Sequence, residues 1–508
     1  MALRTPELRW LGSLTRPGRL APSPLAALAA SPRRRRRLPS PSPSPSPSDS
    51  STPSTAPSSA GAPGAEGMEG PEWKKVSAKR FGIKESMIPA EAWNVLHRLR
   101  SRGYDVYLVG GCVRDLIMKK TPKDFDIITT ADLRQVKDTF SGSAVIVGRR
   151  FPICHVHEND SIVELARYIL FLLIRRLMFN PYSEKIYDYL GGIEDLKKAK
   201  VRTVIPAGTS FQEDCARILR AIRIAARLGF SFPKETAYYV RTLASSVARL
   251  DKGRILMEMN YMLAYGSAEA SLRLLWRFGL LEHLLPFQVN SVINLFVQVL
   301  FSKLDNFLAP NRPCHNSLWI SLLAFHEALA RQPRDPLVVA TFALAFYLGG
   351  DMSLAVDIGK SINRQHDSGF RELSEPKAWT DKHLVDEVQS FAALMKRALT
   401  ETTDESFVAS AMSKIPQAPS SDLVSTTNLC LTPFTVFIPL QAYLKVLKFI
   451  ECVQYGKKER GYEPKKDGKI NYHNLSYGKH SEISNLFTLV VFDTLYPTNM
   501  EDQHDGNS

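Results

Sequence analysis

Apolar positions between residues 90 and 118 follow two different periods, which predict two kinds of element. Residues 90–102 have helical spacing, and Gly103 stands where a glycine commonly ends a helix. Residues 106–109 form a short continuous apolar run, which predicts a buried strand, and a second helix is predicted from about 113 to 118. This part of the chain therefore alternates helix and strand, as expected for a small domain with a sheet.

Helical periodicity dominates further along the chain. A helix is predicted from Ser210 to about Leu228, because Ser210 and Glu213 have the spacing of a capping box and a glycine follows the last turn. The pattern is helical throughout 253–349. Its most apolar run, 337–348, has the length of a buried helix and is shorter than the ~20 residues of a membrane span. We predict an α+β fold without a membrane span: a small head with a mixed sheet and helices, followed by an all-α neck and body.

The first 48 residues differ in composition from the rest. They hold nine arginines and one acidic residue, Glu7, in a chain of net charge +14, and five of these arginines run consecutively over 33–37. Acid-poor, arginine- and serine-rich leaders are typical of organelle transit peptides, which predicts a chloroplast or mitochondrial location. The arginine run is also compatible with a nuclear signal, and the stretch with a tail that has no targeting role. Residues 49–72 are too poor in large apolar groups to fold and predict a linker.

Cysteine and histidine usage argues against two kinds of site. The six cysteines show no regular spacing, so a disulfide framework is not expected and a reducing compartment is favoured. His155 and His157 would share one face of a strand, but no second group of ligands stands at zinc-finger spacing. A zinc site is therefore not predicted.

A glycine pair follows the strand predicted over 106–109. Gly110 and Gly111 lie between this strand and the next helix, where backbone N–H groups and a helix N-terminus can receive a triphosphate. Arg114, in the first turn of that helix, can pair with phosphate oxygens through two parallel hydrogen bonds. A glycine pair by itself is more often only a turn, so the prediction needs support from residues further along the chain.

Two aspartates provide that support. Asp124 and Asp126 are two residues apart, so on a strand they project from the same face. Two adjacent carboxylates repel each other unless a cation lies between them. Two Mg²⁺ ions would satisfy the pair, one activating a primer 3′-hydroxyl and the other neutralising charge on the leaving pyrophosphate. The alternative is an exposed edge strand with two solvated acids.

These motifs resemble a known family. Residues 108–115, followed by Asp124-Phe125-Asp126, are similar to the head signature of class II tRNA nucleotidyltransferases and bacterial poly(A) polymerases, and the leader suggests a plant-organelle-like member. Residues 147–151 and 162–164 resemble the next elements of that head. The resemblance implies that Gly110, Gly111 and Arg114 hold a nucleoside triphosphate. It also implies that the aspartate pair binds Mg²⁺, with Glu164 as a candidate third acid.

A second motif of the same family stands about 90 residues later. Residues 213–223 resemble its neck helix, which implies that Asp214 and Arg217 read the incoming base in place of a template. Arg220 and Arg223 would contact phosphate or support the pocket. Steps of three residues drift around a helix, so these side chains form a winding row. The alternative interpretation is a surface helix with many charge pairs.

The chain departs from the family pattern between these motifs. The family has two arginines followed by Asp-Phe-Thr, whereas here Arg175-Arg176 is followed at once by Leu177. We retain Arg176 as a candidate nucleotide-binding residue. The missing element is expected to weaken triphosphate binding. It motivates a second hypothesis, a catalytically impaired RNA-binding member of the same fold.

The leading hypothesis is a template-independent RNA nucleotidyltransferase of the poly(A) polymerase or CCA-adding type. It would add AMP from ATP, with CTP as a second candidate substrate, to the 3′ ends of tRNA or other RNA. Basic and tyrosine residues over 455–480 suit single-stranded RNA, although a solvated tail is the favoured interpretation. The expected segments are a transit peptide (1–48), a linker (49–72), the head (73–190), the neck (191–265), an RNA-binding body (266–450) and a basic tail (451–508).

Overall fold

The computed structural model describes residues 74–148, 152–159, 161–167, 177–285, 295–401, 439–457, 460–465 and 469–497. The predicted transit peptide and linker lie outside the described residues, as do residues 149–151 and Arg175-Arg176.

The head is built on one mixed sheet of eight strands in the order β1-β8-β7-β2-β3-β6-β5-β4. Within it β3 and β6 are parallel, and the other neighbouring strands are antiparallel. The strands are β1 Lys74–Ser77, β2 Val106–Val109, β3 Asp126–Thr129, β4 Ala144–Val147, β5 Ile153–Glu158, β6 Ser161–Arg167, β7 Leu177–Asn180 and β8 Lys185–Asp188.

Helices cover one face of this sheet. They are α1 Ala90–Ser101, α2 Gly111–Ile117 and α3 Leu133–Thr139. Leu108 and Ile127, from adjacent strands, are fully buried in the core beneath these helices. Val109 and Ile128 alternate with them and belong to a smaller cluster on the opposite face. The predicted α+β fold is confirmed.

The neck and body are helical. Their helices are α4 Gly192–Lys197, α5 Ala207–Glu213, α6 Ala216–Leu228, α7 Lys234–Thr242, α8 Lys252–Leu263, α9 Ala268–Arg277, α10 Leu281–Leu284, α11 Leu295–Phe307, α12 Asn316–Arg331, α13 Pro336–Tyr347, α14 Met352–Lys360, α15 Asp381–Glu401, α16 Leu440–Gln454, α17 Tyr472–Ser476 and α18 His480–Leu495. Short 3₁₀ turns occur over Ala78–Phe81, Glu85–Met87 and Ala244–Arg249. One continuous hydrophobic core joins the helices from α5 to α18.

The prediction of one helix beginning at Ser210 is wrong. The segment forms two helices, α5 and α6, separated at Asp214, whose backbone is extended with φ −150° and ψ 100°. Ser210 is buried inside α5, which begins after Pro206. The Asp214 carboxylate accepts a hydrogen bond from the N–H of Ala216 at 3.2 Å, and this local bond competes with helix continuation. Gly229 ends α6 in the left-handed conformation, as predicted.

The C-terminal stretch is part of the core. Phe487 and Val490 of α18 are fully buried, and the Tyr462 hydroxyl donates to the backbone oxygen of Tyr347 at 2.7 Å. The interpretation of 455–480 as a solvated tail is therefore corrected for the described residues around Tyr462 and Leu475, which are buried, whereas Tyr455 and Tyr477 are exposed. α13 is buried along its length, and among the described residues we find no helix with the length and apolar character needed to cross a membrane.

The N-terminus of α9 is capped by an aspartate with a perturbed pKa. Burial raises the pKa of Asp305 to about 6, although its carboxylate accepts hydrogen bonds from the N–H groups of Ala268 and Glu269 at 2.8 and 3.0 Å. The folded state thus binds this proton more tightly than the unfolded chain, whose aspartate has a pKa near 3.8. The resulting stabilisation is complete below pH 3.8 and is lost as the pH rises through 6.

We expect Asp305→Asn, which does not titrate, to flatten this dependence. Between about pH 4 and pH 7 the wild-type free energy of unfolding should fall by about 3 kcal/mol relative to the variant. Urea denaturation of both proteins across this range measures the difference. Parallel pH profiles would contradict the assignment.

Candidate active site

The glycine turn predicted from sequence stands at the end of β2. Gly110 has φ 75° and ψ −127°, a backbone conformation that side-chain-bearing residues rarely adopt. It precedes α2, which begins at Gly111, and its carbonyl accepts the N–H of Arg114 at 3.2 Å. The helix therefore starts two residues earlier than the apolar pattern predicted, directly at the end of the strand.

Arg114 has a fixed partner within the head. Its Nε and Nη2 donate to the two carboxylate oxygens of Asp115 at 2.7 and 2.9 Å, and both side chains are half-buried. The two-pronged pairing predicted for a phosphate is thus made to a carboxylate in this structure. A phosphate would have to share or replace Asp115.

The aspartate pair lies beside this turn. Asp124 is exposed in the loop just before β3, and Asp126 is the first residue of that strand and is half-buried. Phe125, between them, is buried among the residues beneath α1 to α3, whereas Asp126 pairs with Val109, which packs on the opposite face of the sheet. In the antiparallel pairing of β2 with β3, Asp126 stands opposite Val109, the residue before Gly110. The register therefore brings Asp126 next to the glycine turn, and Asp124 lies two residues before it in the chain.

Glu164 stands on the strand next to Asp126. The parallel register pairs Ile127 with Leu165, so the residues that precede them, Asp126 and Glu164, are neighbours on one face of the sheet. The Glu164 side chain is 51% exposed, and its Oε1 lies 3.6 Å from Nε2 of His155. The structure thus provides a third carboxylate at this face, already associated with a histidine.

In the neck, Asp214 is held by a residue that the sequence motif did not indicate. Its Oδ2 accepts a hydrogen bond from Nη2 of Arg254, on α8, at 3.1 Å. Burial alone would raise the pKa of Asp214, but the hydrogen bond and charge of Arg254, the N–H of Ala216 and the charge of Arg217 together lower the pKa below its usual value. The group is therefore a carboxylate at neutral pH and can only accept hydrogen bonds.

Arg217 has different partners from Asp214. Its Nη1 donates to the backbone oxygen and the hydroxyl of Ser210, each at 3.2 Å, and to Oε2 of Glu213 at 2.8 Å. The break between α5 and α6 thus presents an acceptor, Asp214, and a donor, Arg217, from one turn of chain. This arrangement has the hydrogen-bonding capacity needed to read a base edge.

Arg220 and Arg223 converge on one buried acid. Nε of Arg220 is 3.6 Å from Oε1 of Glu258, and Nη1 of Arg223 is 3.2 Å from Oε2 of the same carboxylate. Glu258, on α8, is only 1% exposed. These two arginines are thus held to α8 by a shared carboxylate, while their predicted roles toward phosphate or the pocket stay predictions.

An aromatic pair connects this neck surface to the head. The Arg223 guanidinium lies 4.8 Å from the centre of the Tyr261 ring, and Tyr261 contacts Tyr265 at 5.4 Å between ring centres. Nζ of Lys123 lies 5.3 Å from the centre of the Tyr265 ring. Because Lys123 immediately precedes Asp124, the start of the aspartate loop is in contact with the neck.

Sequence reasoning missed four neck residues at this site. They are polar or aromatic and recur at helical spacing along one side of α8 and the turn after it: Arg254, Glu258, Tyr261 and Tyr265. That spacing, in an otherwise apolar helix, is the signal that predicts a shared face.

Comparisons with known proteins match two parts of the chain. Residues 106–171 match the family described as "Poly A polymerase head domain", and residues 229–291 match "Probable RNA and SrmB- binding site of polymerase A". The chain is 31% identical over 246 residues to poly(A) polymerase I of Haemophilus influenzae, covering 42% of this chain and 54% of that protein. It is 27% identical over 229 residues to a CCA-adding enzyme of Leuconostoc mesenteroides, covering 40% of this chain and 57% of that protein.

The predicted resemblance to this family is confirmed by these matches, and the chain spans about half the length of the curated relatives. Among solved structures, the Bacillus stearothermophilus CCA-adding enzyme in complex with CTP aligns at 20% identity with a TM-score of 0.42. That alignment covers 74% of this chain and 95% of that chain, and its similarity is too low to support an inference.

Proposed function

We propose, from the premise that residues 106–171 form a poly(A) polymerase-type head, that this protein is a template-independent RNA nucleotidyltransferase. It transfers AMP from ATP to an RNA 3′ end and releases pyrophosphate, with CTP as the second candidate substrate. The observation that carries the proposal is the register of β2 with β3. It places Asp126 opposite Val109, beside the glycine turn, on the face of the sheet opposite α1 to α3.

Asp124 and Asp126 would hold the metal ions. Carboxylate oxygens are the ligands that Mg²⁺ prefers, and this ion is commonly bound by one or two carboxylates together with substrate phosphates. Phosphate oxygens of the substrate would complete the coordination of ions held by this pair. When bound, two Mg²⁺ ions would activate the RNA 3′-hydroxyl and neutralise charge on the pyrophosphate.

The chain's own residues would hold the nucleotide at two ends. Gly110 and Gly111 let the backbone approach the triphosphate closely because no side chain intervenes. At the other end, Asp214 can accept a hydrogen bond from an exocyclic amino group, and Arg217 can donate to an adjacent ring nitrogen. Adenine and cytosine both offer this amino-next-to-acceptor edge, whereas guanine and uracil offer the reverse. The two residues therefore favour ATP and CTP over GTP and UTP.

RNA is the partner we propose for the helical part of the chain. The match over residues 229–291, which covers α7 to α10, supports this assignment. For location we propose a chloroplast or mitochondrion, on the composition of residues 1–48, with the nucleus as the alternative.

Nucleotide addition by the full-length protein tests the proposal. Purified protein is incubated with Mg²⁺, RNA bearing a free 3′-hydroxyl, and each labelled nucleotide alone. We expect incorporation from ATP or CTP and not from GTP or UTP, and loss of incorporation when the metal is chelated. Long tracts from ATP alone on any RNA would indicate poly(A) synthesis. Addition confined to tRNA that lacks its 3′ end would indicate CCA synthesis. RNA binding without incorporation would instead establish the catalytically impaired alternative.

A further inference from the structure

Four side chains form a continuous row from the neck to the head, which we name the ladder: Arg223, Tyr261, Tyr265 and Lys123. Its three steps measure 4.8, 5.4 and 5.3 Å, and each is a cation–ring or ring–ring contact. One end of the ladder lies on α6, which carries Arg217, and the other lies next to Asp124. The ladder thus spans the base-reading and metal-binding parts of the candidate site.

The body holds Tyr265 firmly in place. The carbonyl of Ala264 accepts the N–H of Cys314 at 3.1 Å. On the other side, Gly266 has φ 72°, and a Cβ there would lie 2.4 Å from the carbonyl oxygen of Leu308. The backbone on both sides of Tyr265 is therefore fixed by the segment 308–314. A fixed ring is a suitable support for the more exposed Lys123.

We propose that Tyr265 is a positioning residue that fixes the Lys123–Asp124 loop against the neck and thereby sets nucleotide selectivity. The proposal rests on the proposed function. Selection needs the base at Asp214 and the phosphates at the aspartate pair to be held at the same time. If the distance between these sites relaxes, a mismatched base can be accommodated, and misplacement of about 1 Å can cost on the order of 100-fold in rate.

The ladder acts through alignment rather than through fold stability. Lys123 is exposed, and cation–π contacts at exposed sites are among the weaker interactions. Lys123→Met, which removes the contact but keeps the ring, should therefore leave the unfolding transition nearly unchanged while altering nucleotide choice. A residue with a purely structural role would change the unfolding transition instead.

The test is a double-mutant cycle of Tyr265→Leu and Lys123→Met, with Tyr265→Phe as the conservative variant. Tyr182→Leu is the matched control, because the Tyr182 ring makes the same kind of cation contact, with the Arg100 guanidinium 5.7 Å from its centre, and packs edge-to-face on Trp93 of α1. We expect Tyr265→Leu to lower kcat with ATP, and the kcat/KM ratio of ATP over GTP, by on the order of tenfold. Tyr265→Phe should retain both values, because the ring face remains.

Further outcomes separate this proposal from the proposed function. The double variant should be no worse than the more affected single variant, since both remove one contact. Additive losses, or an equal loss in Tyr182→Leu, would overturn the proposal. Hydrogen exchange of segment 119–126 should also accelerate in Tyr265→Leu. If the wild type adds no nucleotide, the proposed function fails. Accelerated exchange in Tyr265→Leu would then still support positioning by Tyr265, whereas unchanged exchange would overturn that proposal as well.

Discussion

Replacing Asp126 by asparagine is expected to reduce nucleotide addition by on the order of 10³-fold or more, because metal-ion catalysis contributes several kcal/mol to the transition state. Asp126 is the half-buried member of the pair and stands opposite the residue before the glycine turn. The amide keeps the size of the side chain but removes the negative charge that holds the metal. The loss should appear mainly in kcat, measured as the initial rate of label incorporation at saturating ATP and Mg²⁺.

Asp105→Asn provides the matched control. Asp105 is an exposed aspartate of the same domain, just before β2, and its carboxylate pairs with Arg100 at 2.8 Å on the surface. Exposed pairs of this kind contribute little, so this variant should keep its activity. A rate for Asp126→Asn within about tenfold of wild type would remove the carboxylate pair from the catalytic centre.

Replacing Glu258 by glutamine is expected to destabilise the fold by about 3–5 kcal/mol, the usual effect of removing one partner from a buried charge cluster. Glu258 is 1% exposed and lies between the guanidinium groups of Arg220 and Arg223. Without its charge, the two guanidinium groups of α6 lose the buried carboxylate of α8 that lies against both of them. Urea denaturation should show a lower midpoint with an unchanged slope, because the surface exposed on unfolding stays the same.

The comparison for this variant is Glu269→Gln. Glu269 is a carboxylate of the neighbouring helix α9, paired at 3.0 Å with Arg273, which is more than half exposed. An i,i+4 surface pair is worth about 0.3–0.5 kcal/mol, so this change should be nearly silent. Equal midpoints for the two variants would show that Glu258 does not anchor the arginines.

Local features of the head were predictable from sequence. The bounds of β2 agree with the prediction, and α1 ends one residue earlier than the helix predicted over 90–102. Both elements follow from the spacing of apolar residues along a few turns or one strand, which neighbouring residues largely determine. The predicted start of α2 was too late. Gly110 and Gly111 carry no apolar side chain, so the spacing of apolar residues does not show that a helix begins there.

The break at Asp214 was not predictable from the same rules. Ser210 and Glu213 satisfy the spacing of a capping box, yet Ser210 is buried inside α5. The second helix begins instead beyond Asp214, where a side-chain hydrogen bond to Ala216 and the contact with Arg254 favour an extended backbone. The contact with Arg254 joins residues 40 positions apart, so no local pattern reports it.

The sequence alone determined the aspartate pair, the glycine turn and their order, because spacing on a strand and glycine's conformational freedom are local properties. It also indicated that the chain past residue 190 is helical. Only the tertiary structure decided which groups the candidate site residues meet: Asp115 for Arg114, Arg254 for Asp214, and Glu258 for Arg220 and Arg223. Except for the adjacent Arg114–Asp115 pair, these contacts depend on how α6 packs against α8. The spacing of apolar residues shows which face of a helix is buried, but only the packed structure shows which residues contact that face.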